Sequence, residues 1–247
     1  MITIKSKEEI QKISKSGKIA AFVLKELQKN IKVGTLTVDL DKIARRIIES
    51  RGATPSFLNY QNFPACICVS INDELVHGLP SNRAIKKGDL IKVDVGVNFE
   101  GYHSDTAITI YIGRPDTKIL NLINGVKSSL FEAIRVIKPG LRVGAIEQKT
   151  GEVLKKHKLS PVLSLSGHGV GRAIHEEPSI KSDGRRNDGE IIKEGMVFAI
   201  EPMATMGSHK VQTASDKWTI KTSDSSLAAH FEHTVVVTKY GAKILTV

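Results

Sequence analysis

The chain begins with a capping-box pattern, Ser6 with Glu9 three residues on, followed by Ile10, Ile13, Ala20, Leu24 and Leu27 at helical spacing with lysines between them. This predicts an amphipathic helix running to about Asn30. A second helix is announced by Thr37, carried by Leu40, Ile43, Ala44, Ile47 and Ile48, and stopped at Gly52. Strand-like runs follow over 65–71, 90–97 and 102–112, then helical spacing over 119–137 and 143–157, then strand-like runs over 196–203 and 230–237. The mixture predicts an α/β (α+β) protein.

A short pattern recurs within this order. Ile31-Lys32-Val33-Gly34, ahead of the second helix, returns as Ile137-Lys138-Pro139-Gly140 ahead of the fourth, 106 residues later. Ile85-Lys86-Lys87-Gly88, leading to Asp94, returns as Ile192-Lys193-Glu194-Gly195, leading to Glu201, 107 residues later. Nearly equal offsets in matching contexts predict an internal duplication, one domain over 1–247 with halves of roughly 1–113 and 114–247. Two such halves meeting face to face would form a central cleft, with Asp94 and Glu201 in equivalent places.

The 247 residues are 40% hydrophobic, enough for one large core. No apolar run approaches a membrane span and the start lacks a signal-peptide pattern, so a soluble, cytoplasmic protein with no membrane contact is expected. A formal charge of +10 suits an anionic neighbour such as nucleic acid or a ribosome surface. Lys5, Lys7, Lys12, Lys15, Lys18, Lys25 and Lys29 either form such a contact or are a solvated helix face. Cys66 and Cys68 read as strand residues on one face, ill placed for a mutual disulfide.

Asn98-Phe99-Glu100-Gly101 reads as a four-residue hairpin loop. Pairing Val97 with Tyr102 then sets Asp94 opposite Asp105, with Cβ atoms ~4.5–5.5 Å apart, where like charges repel. The alternatives are a register displaced by one or two residues, a shared proton, or a divalent cation between the acids, of which the cation resolves the repulsion most simply. His168 stands in Ser166-Gly-His-Gly-Val-Gly171, a glycine-rich turn that would leave the imidazole accessible. His175 lies too far on for a His-Glu-x-x-His zinc helix. Glu201 and Glu232 lie in apolar, β-prone surroundings, and buried acids need partners, either basic residues or metal. No basic residue lies within four positions of Glu201. Four carboxylates would neutralise two divalent ions.

Asp94, Asp105, Gly-His168-Gly, Glu201-Pro202 and Phe-Glu232-His-Thr together resemble the five-ligand signature of the type I methionine aminopeptidases. Cys68-Val-Ser-Ile-Asn72-Asp-Glu-Leu-Val-His77-Gly78, the stretch 167–178 and Trp218-Thr-Ile-Lys-Thr222 are similar to the bacterial-type enzymes in order and spacing, so the resemblance spans nearly the whole chain. It implies the pita-bread fold, two pseudo-symmetric halves with antiparallel sheet covered by helices. It also implies removal of the initiator methionine from nascent polypeptides whose second residue is small. Two divalent ions (Co, Mn or Fe, with Zn or Ni as others) would be held by Asp94, Asp105, His168, Glu201 and Glu232, with Asp105 and Glu232 bridging and a hydroxide between the ions as nucleophile. Glu201 would shuttle the proton, His77 would meet the scissile nitrogen and His175 the carbonyl oxygen. Tyr60, Phe63, Cys68 and Trp218, with His77 and His175, would bind substrate, and a monomer is implied. Phe63 and Ile174 depart from the family, which commonly has tyrosine and an aromatic there. An Xaa-Pro aminopeptidase or prolidase would share the ligands but carry an additional N-terminal domain, and a non-catalytic relative would tend to lose ligands.

Overall fold

In a computed structural model, which describes residues 2–247, helices α1 (Lys7–Asn30) and α2 (Thr37–Glu49) come first. Strands β1 (Thr54–Pro55), β2 (Cys68–Ile71), β3 (Glu74–Val76), β4 (Leu90–Phe99) and β5 (Tyr102–Tyr111) follow, then α3 (Thr117–Val136) and α4 (Gly144–Lys156). The chain ends on short strands: β6 (Ser160–Pro161), β7 (Ser166–Gly169), β8 (Glu176–Lys181), β9 (Val197–Ile200), β10 (Met203–Thr205), β11 (Val211–Thr213), β12 (Ile220–Thr222), β13 (Ala228–His230), β14 (Glu232–Thr238) and β15 (Gly241–Ile244).

The described residues build a nine-stranded sheet in the order β1-β4-β5-β14-β9-β7-β8, with β2 also on β4 and β15 also on β14, and every pairing antiparallel. The capping box at Ser6 is formed in full. The apolar stripes of α1 and α2 bury Ala20, Leu24, Leu27, Leu40, Ala44 and Ile48 against Ile91, Val93, Val95 and Val97 of β4. Leu122, Val126, Leu130 and Ile146 of α3 and α4 form a second core with Phe198 and Ile200 of β9 and Val235 and Val237 of β14. One core therefore lies under each helix pair.

The repeated sequence pattern coincides with repeated hydrogen bonds. Gly34 N–H donates to Ile85 O (2.8 Å) and Gly140 N–H to Ile192 O (2.9 Å), and the return bonds are Ile85 N–H to Thr35 O (2.9 Å) and Ile192 N–H to Leu141 O (2.7 Å). All four glycines of the pattern, Gly34, Gly88, Gly140 and Gly195, have φ between 85° and 93°, a region that an L side chain rarely adopts.

Several expectations are corrected. The β4–β5 hairpin pairs Phe99 with Tyr102, so Asp94 faces Ala107 and Asp105 faces Gly96. Its connection is the two-residue turn Glu100-Gly101, with φ of 52° and 80°, as the twist of a tight hairpin requires. The register thus differs by two residues, and because side chains alternate with period two, both acids still share a face as diagonal neighbours. Thr37 opens α2 but does not cap it, since its hydroxyl donates to Ser81 O at 3.0 Å. The run at 196–203 breaks near its end, at Glu201-Pro202, and the run at 230–237 near its start, at Phe231. Cys66 precedes β2 and packs under α2, whereas Cys68 starts the strand and joins a different cluster, so the two do not share a face. Lys5 lies outside α1 and is buried against Glu176 at 2.8 Å. No described helix is long and apolar enough to cross a membrane.

Candidate metal centre

Antiparallel pairing carries one row of residues across the sheet: Cys68 pairs with Asp94, Asp94 with Ala107, and Ala107 with Glu232. A second row lies two positions over, where Asp105 pairs with Gly96, and the chain of pairings continues from Thr234 through Ala199 to His168. Rows two residues apart point the same way. Alanine and glycine at positions 96, 107 and 199 keep the space between the acids clear.

Threonine hydroxyls fix the strands that carry the acids. Thr234 accepts from Asp105 N–H at 2.8 Å and donates to Asp105 O at 2.7 Å, and Thr106 donates to Glu232 O at 2.8 Å. His168 lies on β7, not in a turn as its glycines had implied. Those glycines serve close packing: a Cβ on Gly167 would come within 2.5 Å of Ala199 O, and one on Gly169 within 2.2 Å of Glu177 O.

Donor atoms converge in overlapping sets. Asp94, Asp105 and Glu232 offer oxygens within 4.8 Å of one another, a ring nitrogen of His168 lies equally close to oxygens of Glu201 and Glu232, and a third set joins Asp105 and His168 to His175. Asp94, Asp105 and Glu232 are buried, and Asp94 Oδ1 and Glu232 Oε1 have no hydrogen-bond partner. Burial pushes Asp94 up to about 6. Burial and the charge of Asp94 hold Asp105 far above the usual carboxylate range, burial alone does so for Glu201, and burial with the charges of Asp105, Glu201 and Asp94 does so for Glu232. Buried, unpartnered and mutually repelling oxygens are stabilised when divalent cations lie among them. His168 suits the same role: burial lowers it to about 3, so it is neutral, and its Nδ1–H donates to Gly169 O at 2.9 Å, leaving Nε2 as a lone-pair donor.

Above these donors lies a cavity of about 310 Å³ whose walls include Tyr60, Phe63, Cys68, His77, His175 and Trp218. The Phe63 and Trp218 rings meet edge to face with centroids 5.1 Å apart. The Tyr60 hydroxyl lies 2.9 Å from His175 Nδ1, and the His175 ring stands 4.3 Å from that of His168. His77 follows β3 with φ of 58°, and burial lowers it to about 4. Ile174 is buried in the cluster that backs this wall, with Phe57, Phe63, Ala65 and Cys68. All eleven site residues singled out from the sequence therefore surround one cavity. Sequence reasoning missed His230, which is 1% exposed with Nε2 3.5 Å from Glu201 Oε2. Its one available signal was its position two residues before Glu232.

The model of metallopeptidase family M24 matches residues 11–239. A methionine aminopeptidase of Aquifex aeolicus is 43% identical over 99% of this chain and 98% of its own. The crystal structure of a methionine aminopeptidase from Thermotoga maritima superposes with a TM-score of 0.98 at 38% identity, covering 100% of this chain and 99% of that one. A prolidase from Pyrococcus furiosus superposes with a TM-score of 0.81 at 28% identity, and the match covers 99% of this chain but 65% of the prolidase.

Proposed function

Because the chain belongs to metallopeptidase family M24, we propose that it is a pita-bread methionyl aminopeptidase that removes the N-terminal methionine of proteins by metal-dependent hydrolysis. The observation that carries this reading is the pair of donor sets sharing Glu232, at the floor of a cavity walled by aromatic rings and a thiol. Full-length relatives near 40% identity carry the printed name methionine aminopeptidase, and the prolidase fold extends well beyond this chain.

Asp94, Asp105 and Glu232 would hold one divalent ion and Asp105, His168, Glu201 and Glu232 the other. Such a pair supplies Lewis acidity and a water that ionises near neutral pH. Glu201, which would lie beside those ions as a carboxylate, would accept a proton from water and return it to the leaving amine. His77 and His175 are both lowered by burial and so are neutral. Each then has one N–H to offer, His77 toward the scissile nitrogen and His175 toward the carbonyl oxygen. Tyr60, Phe63, Cys68 and Trp218 would receive the methionine side chain, since soft apolar walls suit a thioether. With Phe63 the wall carries no hydroxyl at that point.

The substrate would be the N-terminus of a nascent polypeptide whose second residue is small, and the enzyme a cytoplasmic monomer of one duplicated domain. The hydrogen bonds repeated at offsets of 106 and 107 support the duplication. A ribosome contact would use Lys7, Lys15, Lys18, Lys25 and Lys29, which are exposed along α1, and not Lys5, which is buried. The test is release of methionine from Met-Ala-Ser, expected to vanish on chelation and to return with Mn, Fe or Co. Robust cleavage of Xaa-Pro peptides with none of Met-Ala-Ser would overturn the substrate assignment.

A further inference from the structure

Glu201 lies between two imidazoles. Its Oε1 is 3.4 Å from His168 Nε2, and its Oε2 is 3.5 Å from His230 Nε2. The same His230 nitrogen is 3.9 Å from Glu232 Oε2. His230 is fully enclosed, and neither ring nitrogen has a hydrogen-bond partner. Its main chain is fixed, with N–H donating to Thr109 Oγ1 at 3.0 Å and the Thr109 hydroxyl donating to His230 O at 2.5 Å.

The two rings differ in what surrounds Nδ1. His168 has the Gly169 carbonyl there, which places the hydrogen on Nδ1 and frees Nε2 for a metal. His230 has no acceptor at Nδ1, while two carboxylates stand before its Nε2. A neutral imidazole carries one ring hydrogen, and it resides where acceptors are. We propose that His230 is a positioning residue that keeps its hydrogen on Nε2 and donates it to Glu201 Oε2, so that Oε1 is held beside His168, and that it is not a further donor to the ions. At 3.5 Å the pair stands just beyond hydrogen-bond length, so the donation requires the two side chains to approach by about 0.3 Å. The inference rests on the reading of Glu201 as a metal ligand.

Two measurements test it. Histidine-selective 15N NMR of the zinc-loaded protein should show His230 protonated at Nε2 and bare at Nδ1, with His168 metal-bound at Nε2. A zinc-bound, unprotonated His230 Nε2 would overturn the proposal without any variant having to fold. His230→Leu should weaken Mn(II) binding about ten-fold, read by calorimetry, and lower kcat on Met-Ala-Ser with KM nearly unchanged. His230→Gln, which keeps an N–H donor at similar reach, should recover most of both. Equal losses in the two variants, or none in either, would also overturn it. A parent protein that binds neither zinc nor manganese defeats the metal reading itself, and this inference with it.

Discussion

Asp105 is 3% exposed and belongs to two of the three donor sets, so its charge matters more than its volume. Asp105→Asn should retain the fold, lose one of two bound Mn(II) ions by metal analysis, and lower Met-Ala-Ser turnover on the order of 100-fold. Protons compete with metal for the raised carboxyls. Asp94 at about 6, with Asp105, Glu201 and Glu232 also raised above the usual carboxylate range, should make Mn(II) affinity climb as pH rises from 5 to 8. Calorimetry in buffers of different ionisation enthalpy should record proton release on binding. His168, neutral above about 3, adds nothing to that slope. Lys92 gives folding stability its own dependence on pH. It is 2% exposed, its Nζ donates to Asn72 O at 2.8 Å, and burial lowers it from 10.5 to about 7. Between pH 7 and 10 the unfolded chain binds the extra proton, so the contribution of Lys92 to stability rises by at most ~1.4 kcal/mol per pH unit. Denaturant unfolding of the parent against Lys92→Met should show the parent gaining over that window. Asp94 and Glu201 were legible in the sequence because aspartate and glutamate are anomalous in apolar strands. Lys92, His230 and the threonines at 106, 109 and 234 were not, because their partners lie on segments that only the sheet register brings near.

At the scale of elements, α1 was readable from its capping box and period, yet the reason for a glycine in its middle was not. A Cβ on Gly17 would lie 2.5 Å from Leu245 O, so the helix touches the end of the chain there, backbone to backbone. Gly17→Ala, ordinarily favourable in a helix, should instead destabilise by ~1–3 kcal/mol in denaturant unfolding. The β4–β5 hairpin shows why alternation outlasts a register error: a slip of two residues changes which side chains are opposite and leaves the faces intact. The break at Phe231 was invisible to hydrophobic patterning, because that residue is itself apolar, whereas the break at Glu201-Pro202 carried a signal in its proline. Proline at 202 has no N–H for a ladder and so ends β9 beside the acid.

For the molecule as a whole, the donors come from two distant parts of the chain, Asp94 and Asp105 from before α3, and His168, Glu201 and Glu232 from after α4. Ions bound there would tie the two parts together. Saturating Mn(II) at 100 times its dissociation constant should therefore raise stability by ~2.7 kcal/mol, and a chelator should lower Tm, both measurable by calorimetric scans. The donors lie on or directly beside β4, β5, β7, β9 and β14 of one continuous sheet, whereas Tyr60, Phe63, His77 and Trp218 stand on connections outside that sheet. Two parts of the protein are thus free to change at different rates. Residues such as Tyr60, Phe63 and Trp218 on those connections can be replaced or reshaped to admit another side chain while the donors on the sheet stay untouched. An enzyme built this way can acquire a new substrate without having to reinvent its chemistry.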